Sequence, residues 1–298
     1  MISKILISDQ LHPDAIAWLT GQLDVQVRVQ PQMAHEELVK AIADYDALIV
    51  RSRTKVTEEV IIAGKRLKVI GRAGTGLDNI DIEAARRAQI QVLNAPGANA
   101  NAVAELTVGF MIALARDLPQ AMSAVSTGTK VKGYGTELAD KTLGLIGYGR
   151  IGRVVAHLAL AFGMNVLAYD IITPERPEPG VHLVSLKELV RGSDFVSLHI
   201  PLTPDTRGFI STEILEQFKA GSVLINTARA ELVDERAVLA ALHSGKLKKY
   251  AADLYAEKSP FIGHPQVLLT PHIGASTHEA QRRAGLEIAE KVWQALTK

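Results

Sequence analysis

The chain contains no cysteine. Disulfides, thiolate metal sites and cysteine nucleophiles are therefore excluded from its chemistry. It also lacks an excess of either charge: 33 basic against 32 acidic side chains leave a formal net charge of +1. With no basic stripe and no long charge run, nucleic acid is not an expected partner. Long apolar runs are missing too. The longest, over residues 110–115, falls far short of the ~20 residues that cross a bilayer, so no membrane partner is expected either. The first ten residues read as a strand and are too short for a signal-peptide core. A cytoplasmic protein is the expectation. Several catalytic signatures are absent as well. The nearest lookalike of a phosphate-binding P-loop, residues 135–142, carries Asp140 where the second glycine is required. Neither a G-x-S-x-G elbow nor an H-E-x-x-H helix occurs, which removes the main support for serine hydrolase or zinc protease chemistry, and no metal site is expected.

What is present is a rhythm. Short β-branched runs at residues 4–7, 25–29, 47–50, 68–70 and 91–93 alternate with helical spacing at 14–19, 35–43, 58–63 and 82–88. Continuously apolar strands separated by such helices imply a parallel sheet covered on both faces. The rhythm restarts at Lys141, with strands expected at 142–146, 165–169, 195–199, 222–226, 250–252 and 267–269. At ~150 residues per domain, the 298 residues accommodate two α/β units in tandem. Between them, residues 99–116 form a long helical candidate that is apolar around most of its circumference. Residues 123–135, rich in glycine, serine and threonine, read as an irregular arm. The last helix is expected to start from Ser276 and Glu279 at capping-box spacing, with Ala284, Ile288, Val292 and Leu296 on its buried face.

The chemistry concentrates after the strands. Gly147-Tyr148-Gly149-Arg150-Ile151-Gly152 follows one strand and opens a helix over 151–162, and the next strand ends at Asp170. In a dinucleotide site the first glycine permits the turn, the second lets the backbone approach the pyrophosphate, and the third lets helix and strand pack. The helix N-terminus then offers unpaired N–H groups to the phosphates. Asp170 would accept from the ribose hydroxyls and repel a 2′-phosphate, favouring NAD over NADP. Arg229, just past a strand end, suits a bidentate grip on a carboxylate. His272, between Thr270-Pro271 and Ile273-Gly274, suits general acid/base work near neutral pH. His35, His157, His243 and His278 read as solvated helical positions, and His199 as a structural histidine near the cofactor.

Five motifs occur in order: 69–81 around Gly71-Arg72-Ala73-Gly74-Thr75-Gly76, then 99–105 ending Val103-Ala104-Glu105, the glycine loop, Asn226-Thr227-Ala228-Arg229, and 270–276. In them the chain resembles the D-isomer-specific 2-hydroxyacid dehydrogenase family over nearly its whole length, and within it the phosphoglycerate dehydrogenases of short form. The resemblance implies an α/β protein of two doubly wound parallel-sheet domains, a flavodoxin-like substrate domain (1–96 plus 281–298) and a Rossmann NAD domain (97–280). It implies a homodimer, with a tetramer as the alternative, formed through the NAD domains and the arm. Carried over by position, Arg229 is the carboxylate-binding arginine and His272 the acid/base. NAD is the cofactor, lined by Thr75, Gly147, Gly149, Arg150, Ile151, Gly152, Asp170, His199, Ile200, Thr227, Ala228, Arg229, Asp253, His272, Gly274 and Ala275. Arg51, Ser52, Arg72, Ala73, Gly74, Gly76 and Asn99 would hold a small 2-hydroxy or 2-oxo acid, with arginine suited to a phosphate. The implied reaction is oxidation of 3-phosphoglycerate to 3-phosphohydroxypyruvate, which opens serine synthesis. Glyoxylate or hydroxypyruvate reduction is the alternative, as is an NAD(H)-binding regulator with little turnover.

One position departs from the family. A glutamate is expected five residues after Asp253, where it stabilises the imidazolium of the acid/base; this chain has Lys258 there, Glu257 just before it, and Pro260 two residues on. Glu257 becomes the candidate substitute. The chain also ends at Lys298, before any serine-binding regulatory domain of the longer dehydrogenases, so that feedback route is expected to be absent.

Overall fold

The computed structural model describes residues 2–129, 133–172, 177–256 and 258–297. The chain divides into two compact units, Met1–Asn99 with Ala275–Lys298, and Ala100–Gly274.

In the first unit, β1 (Ser3–Ile7), β2 (Val25–Val29), β3 (Ala47–Val50), β4 (Val69–Arg72) and β5 (Gln91–Asn94) form a parallel sheet in the order β2-β1-β3-β4-β5. The strands β1 and β3 are central, and their apolar runs are buried on both faces, from Ile5 to Ile7 and from Ala47 to Val50. One face is covered by the helices Pro13–Thr20 and His278–Thr297, through Ala15, Leu19, Ile288, Ala289 and Val292. The other is covered by His35–Ala41, Glu58–Ala63 and Ile82–Arg87. Trp18 and Trp293 meet edge to face, 5.8 Å between centroids. The direction of winding reverses between β1 and β3, the point at which open α/β sheets leave a crevice for a ligand.

The second unit holds β6 (Thr142–Ile146), β7 (Asn165–Tyr169), β8 (Val181–Leu183), β9 (Phe195–Leu198), β10 (Ser222–Asn226), β11 (Leu247–Ala252) and β12 (Val267–Leu269). They form a parallel sheet in the order β12-β11-β10-β9-β6-β7-β8, the dinucleotide-binding arrangement extended by one strand. Its crevice lies between β6 and β9. The helix Ala100–Ala115 is buried on most sides, as its composition implies, and shares a core with the helix Arg150–Ala161 through Met111, Val155, Ala156 and Ala159. Lys249 closes its C-terminal end, donating to the Leu114 carbonyl at 2.6 Å and pairing with Asp117.

Three sequence expectations are corrected. β8 is a seventh strand; three residues carry too little periodicity to be read as one. The supposed irregular arm begins as helix, because Leu118–Ser126 includes its first four residues. The last helix is capped by Thr277 rather than Ser276: Thr277 Oγ1 accepts from the Ala280 N–H at 3.1 Å, and the helix starts at His278.

At the second crevice, His199 follows β9 directly beneath the glycine loop, and a Cβ on Gly147 would press against the His199 carbonyl. The His199 N–H donates to the Ile146 carbonyl at 2.7 Å, and Ser197 Oγ lies 3.0 Å from its Nε2. Burial lowers the ring's pKa to about 4. The unfolded chain, with a pKa of 6.5, therefore takes up a proton that the folded chain refuses. Stability contributed by the neutral ring is complete above pH 6.5 and is lost as pH falls toward 4. Urea midpoints measured across that window should fall with acid in the native protein and fall less in His199→Gln. Equal slopes for the two proteins would contradict the assignment.

Candidate active site

The residues singled out in the first unit gather at the carboxyl ends of β3 and β4. Asp9, 4% exposed after β1, pins the turn 51–54. One carboxylate oxygen accepts from the N–H groups of Arg51 (2.6 Å) and Thr54 (3.1 Å), the other from Thr54 Oγ1 (2.7 Å). From the opposite side, Asn79 Nδ2 donates to the carbonyls of Arg51 and Thr54 at 2.7 and 2.6 Å. Arg51 Nη1 donates to the Gln10 carbonyl at 3.1 Å. Burial lowers the Arg51 pKa and the Asp9 charge opposes that; the guanidinium stays charged. Ser52 is exposed on the same turn.

Val50 and Arg72 are register partners, so Arg51 and Arg72 belong to neighbouring strand ends. Arg72 folds its guanidinium over Gly74, where φ is +151° and any Cβ would collide with Arg72 Nη1. Glycine is the residue that permits both. Ala73 donates to the Val50 carbonyl at 2.8 Å, and Thr75 Oγ1 donates to Asn99 Oδ1 at 2.9 Å. Gly76 continues the turn, and the Thr75–Asn99 bond ties the 72–76 segment to Asn99.

In the second unit the glycine loop has the form a dinucleotide requires. Gly147 has φ +100°, and a Cβ on Gly152 would run into the Gly147 carbonyl oxygen. Gly149 is the N-cap of the helix Arg150–Ala161 and has no side-chain cap, so the first helical N–H groups remain available. Nothing lies within 4 Å of a Cβ built on Gly149. A pyrophosphate fits this open, donor-lined cradle. Arg150 and Ile151 are the first two residues of the helix, and Ile200 flanks the loop from beyond β9, its side chain 3.0 Å from a Cβ built on Gly147. Asp170, past β7, already holds the loop: one carboxylate oxygen accepts from the Tyr148 N–H at 2.7 Å and the other from Ile172 at 2.9 Å. The Tyr148 ring is covered by the Arg153 guanidinium, 4.8 Å from its centroid.

Thr227, Ala228 and Arg229 follow β10, and Arg229 Nη1 donates to the Ala228 carbonyl at 2.7 Å. Asp253 follows β11. It is 2% exposed, and its carboxylate organises the turn that carries His272. It accepts from Thr270 Oγ1 (2.6 Å), Ile273 N–H (2.8 Å) and Gly274 N–H (2.6 Å). The His272 N–H donates to the Asp253 carbonyl at 2.8 Å. His272 itself has φ +57°, a left-handed conformation uncommon for residues other than glycine. Three donors on one buried carboxylate hold it there. Gly274 must lack a side chain, since a Cβ would press on Asp253 Oδ2. Ala275, the first residue of the chain's return to the first unit, accepts from Gln281 Nε2 at 2.6 Å.

Lys258 is exposed, and Glu257 lies outside the described residues. Next to Lys258, Ser259 is 5% exposed and donates to Glu235 Oε1 at 2.6 Å. Phe261 packs edge-on against Tyr250, 5.0 Å between centroids. Sequence reasoning missed Asp9, Asn79 and Thr270, whose roles lie in where their side chains point. The one available signal was their polar character beside strand ends.

Residues 108–274 match the model of the D-isomer specific 2-hydroxyacid dehydrogenase, NAD binding domain. The chain is 45% identical over 302 residues to a D-3-phosphoglycerate dehydrogenase of Methanocaldococcus jannaschii, covering 98% of this chain and 57% of that relative. It thus spans little more than half the length of that protein. A hydroxypyruvate reductase of Thermotoga maritima is 44% identical, with 98% of each chain covered. Among solved structures, an NAD+-bound 3-phosphoglycerate dehydrogenase of Entamoeba histolytica superposes with a TM-score of 0.86 at 33% identity, covering 100% of this chain and 96% of that one. A glyoxylate reductase of Paecilomyes thermophila gives 0.89 at 31% identity, with 100% and 96% covered. The chain belongs to the D-isomer-specific 2-hydroxyacid dehydrogenase family, and its second unit carries the family's NAD-binding domain.

Proposed function

We propose that the chain oxidises 3-phosphoglycerate to 3-phosphohydroxypyruvate, the step that opens serine synthesis. The observation that carries this reading is the pinned 51–54 turn beside Arg72: two arginines at the adjacent ends of β3 and β4, one on a turn fixed by Asp9 and Asn79. Rigidly placed guanidinium groups suit a phosphate. NAD, when bound, supplies the hydride acceptor. Arg229 grips the substrate carboxylate, and His272 takes the hydroxyl proton during oxidation and returns it during reduction. The carboxylate of Glu257 stabilises the charged ring in place of the family glutamate. A second reading, reduction of hydroxypyruvate or glyoxylate, is favoured by the full-length likeness to a hydroxypyruvate reductase. In Arg51→Ala, the apparent affinity for phosphoglycerate should fall roughly 10- to 100-fold, the worth of one charged hydrogen-bonded contact. Hydroxypyruvate reduction should be unaffected. Unchanged phosphoglycerate kinetics would favour the second reading.

The charge partner of His272 is tested separately. Removing a carboxylate beside an imidazolium lowers the ring's pKa, so Glu257→Gln should slow turnover and move the pH–rate profile of reduction toward acid. A silent Glu257→Gln together with a faster Lys258→Glu would mean that Glu257 does not serve.

We also infer a cytoplasmic homodimer. Its support is the helix Leu118–Ser126, which exposes Leu118, Met122 and Val125 at helical spacing, with Tyr134 fully exposed beyond it. An apolar stripe of this kind marks an interaction surface. Sedimentation should find a dimer in the native protein and a monomer in Met122→Glu; a dimer in both would place the interface elsewhere.

A further inference from the structure

The turn that carries Arg229 is built on a buried carboxamide. Asn226, the last residue of β10, is 1% exposed. Its Oδ1 accepts from the Ala228 N–H at 3.1 Å, and its Nδ2 donates to the Arg229 carbonyl at 2.7 Å. One side chain therefore satisfies a donor and an acceptor of the turn, leaving the backbone between them little freedom.

A second polar contact reaches the same turn from the helix Ala100–Ala115. Thr107 is fully buried, and its hydroxyl lies 3.0 Å from that of Thr227. The Thr107 hydroxyl also lies 2.8 Å from the Val103 carbonyl. A carbonyl can accept and never donate, so the single Thr107 proton is committed there. The proton between the two threonines then belongs to Thr227. That fixes the rotor of Thr227 and ties the first residue of the turn to the long helix. Neither Asn226 nor Thr107 has a place in the proton transfer proposed above. Burying an amide and a hydroxyl is costly unless their bonds are made; here they are made to residues 227–229 and the Val103 carbonyl, and the Asn226 side chain also bonds to Tyr250 on the neighbouring strand β11.

We propose that Asn226 and Thr107 are positioning residues that preset this turn, so that the Arg229 guanidinium meets a substrate carboxylate without reorganisation. The proposal rests on the reading of Arg229 as the carboxylate clamp. Two-pronged contacts lose strength steeply when misplaced, so a loosened turn weakens substrate binding while leaving the fold standing.

The probe is oxalate, an unreactive analogue of a small 2-oxo acid, titrated into the enzyme–NADH complex by quenching of NADH fluorescence. Asn226→Asp keeps the shape and the Oδ1 acceptor and removes the donor to the Arg229 carbonyl. It should weaken oxalate about 10-fold, the worth of one such bond, and weaken NADH by much less. Thr107→Val should weaken oxalate a few-fold, and Thr107→Ser, which keeps the hydroxyl, should restore it. In an Arg229→Ala background, Asn226→Asp should have no further effect. Equal weakening with and without Arg229 would overturn the proposal, as would Asn226→Asp with unchanged oxalate affinity. If Arg229→Ala alone leaves oxalate binding intact, the clamp reading itself fails, a result separable from failure at Asn226.

Discussion

In a parallel sheet every strand ends on the same edge, and the backbone beyond that edge needs partners that no neighbouring strand supplies. Here short acidic or amide side chains supply them. Asp9 does so after β1, Asp170 after β7, Asn226 at the end of β10 and Asp253 after β11. Each faces a loop that bears a residue with proposed chemistry: Arg51, the glycine loop, Arg229 and His272. The candidate site in each unit therefore rests on one recurring interaction, a strand-end side-chain oxygen accepting from a backbone N–H of a turn.

The energetics favour this device. A buried carboxylate is costly unless its lone pairs are filled, and Asp9 and Asp253 each have three donors on them. Groups fixed in this way are already aimed when a ligand arrives, so no reorganisation is needed at the moment of reaction. The left-handed His272 belongs to the same logic. Its unfavourable backbone conformation persists because the residues around it, Thr270, Ile273 and Gly274, are all tied to one carboxylate.

Much of the architecture is legible in the sequence, because buried strands and amphipathic helices leave periodic patterns in the chain. The alternation predicts all five strands of the first sheet and six of the seven in the second. The glycine loop is legible because its spacing is dictated by contact with a phosphate. What stays hidden depends on direction rather than period. Nothing in the residue string says that Asp253 turns toward residues 270–274, that Thr277 rather than Ser276 caps the last helix, or that Thr107 looks across at Thr227. β8 escapes for a different reason, since three residues are too few to establish a pattern. Lys258 shows the opposite case, a local departure plain in the sequence itself.

The strand-end account is tested most directly at Asp253, where three donors converge on one side chain. Asn at this position keeps the size and one acceptor oxygen but cannot accept on both sides. Backbone amide exchange across residues 272–274 and single-turnover reduction should be measured together in Asp253→Asn. The account predicts faster exchange at Ile273 and Gly274 together with a large loss of the reductive rate, in a protein that still unfolds cooperatively. A loosened turn with an undiminished rate would contradict it.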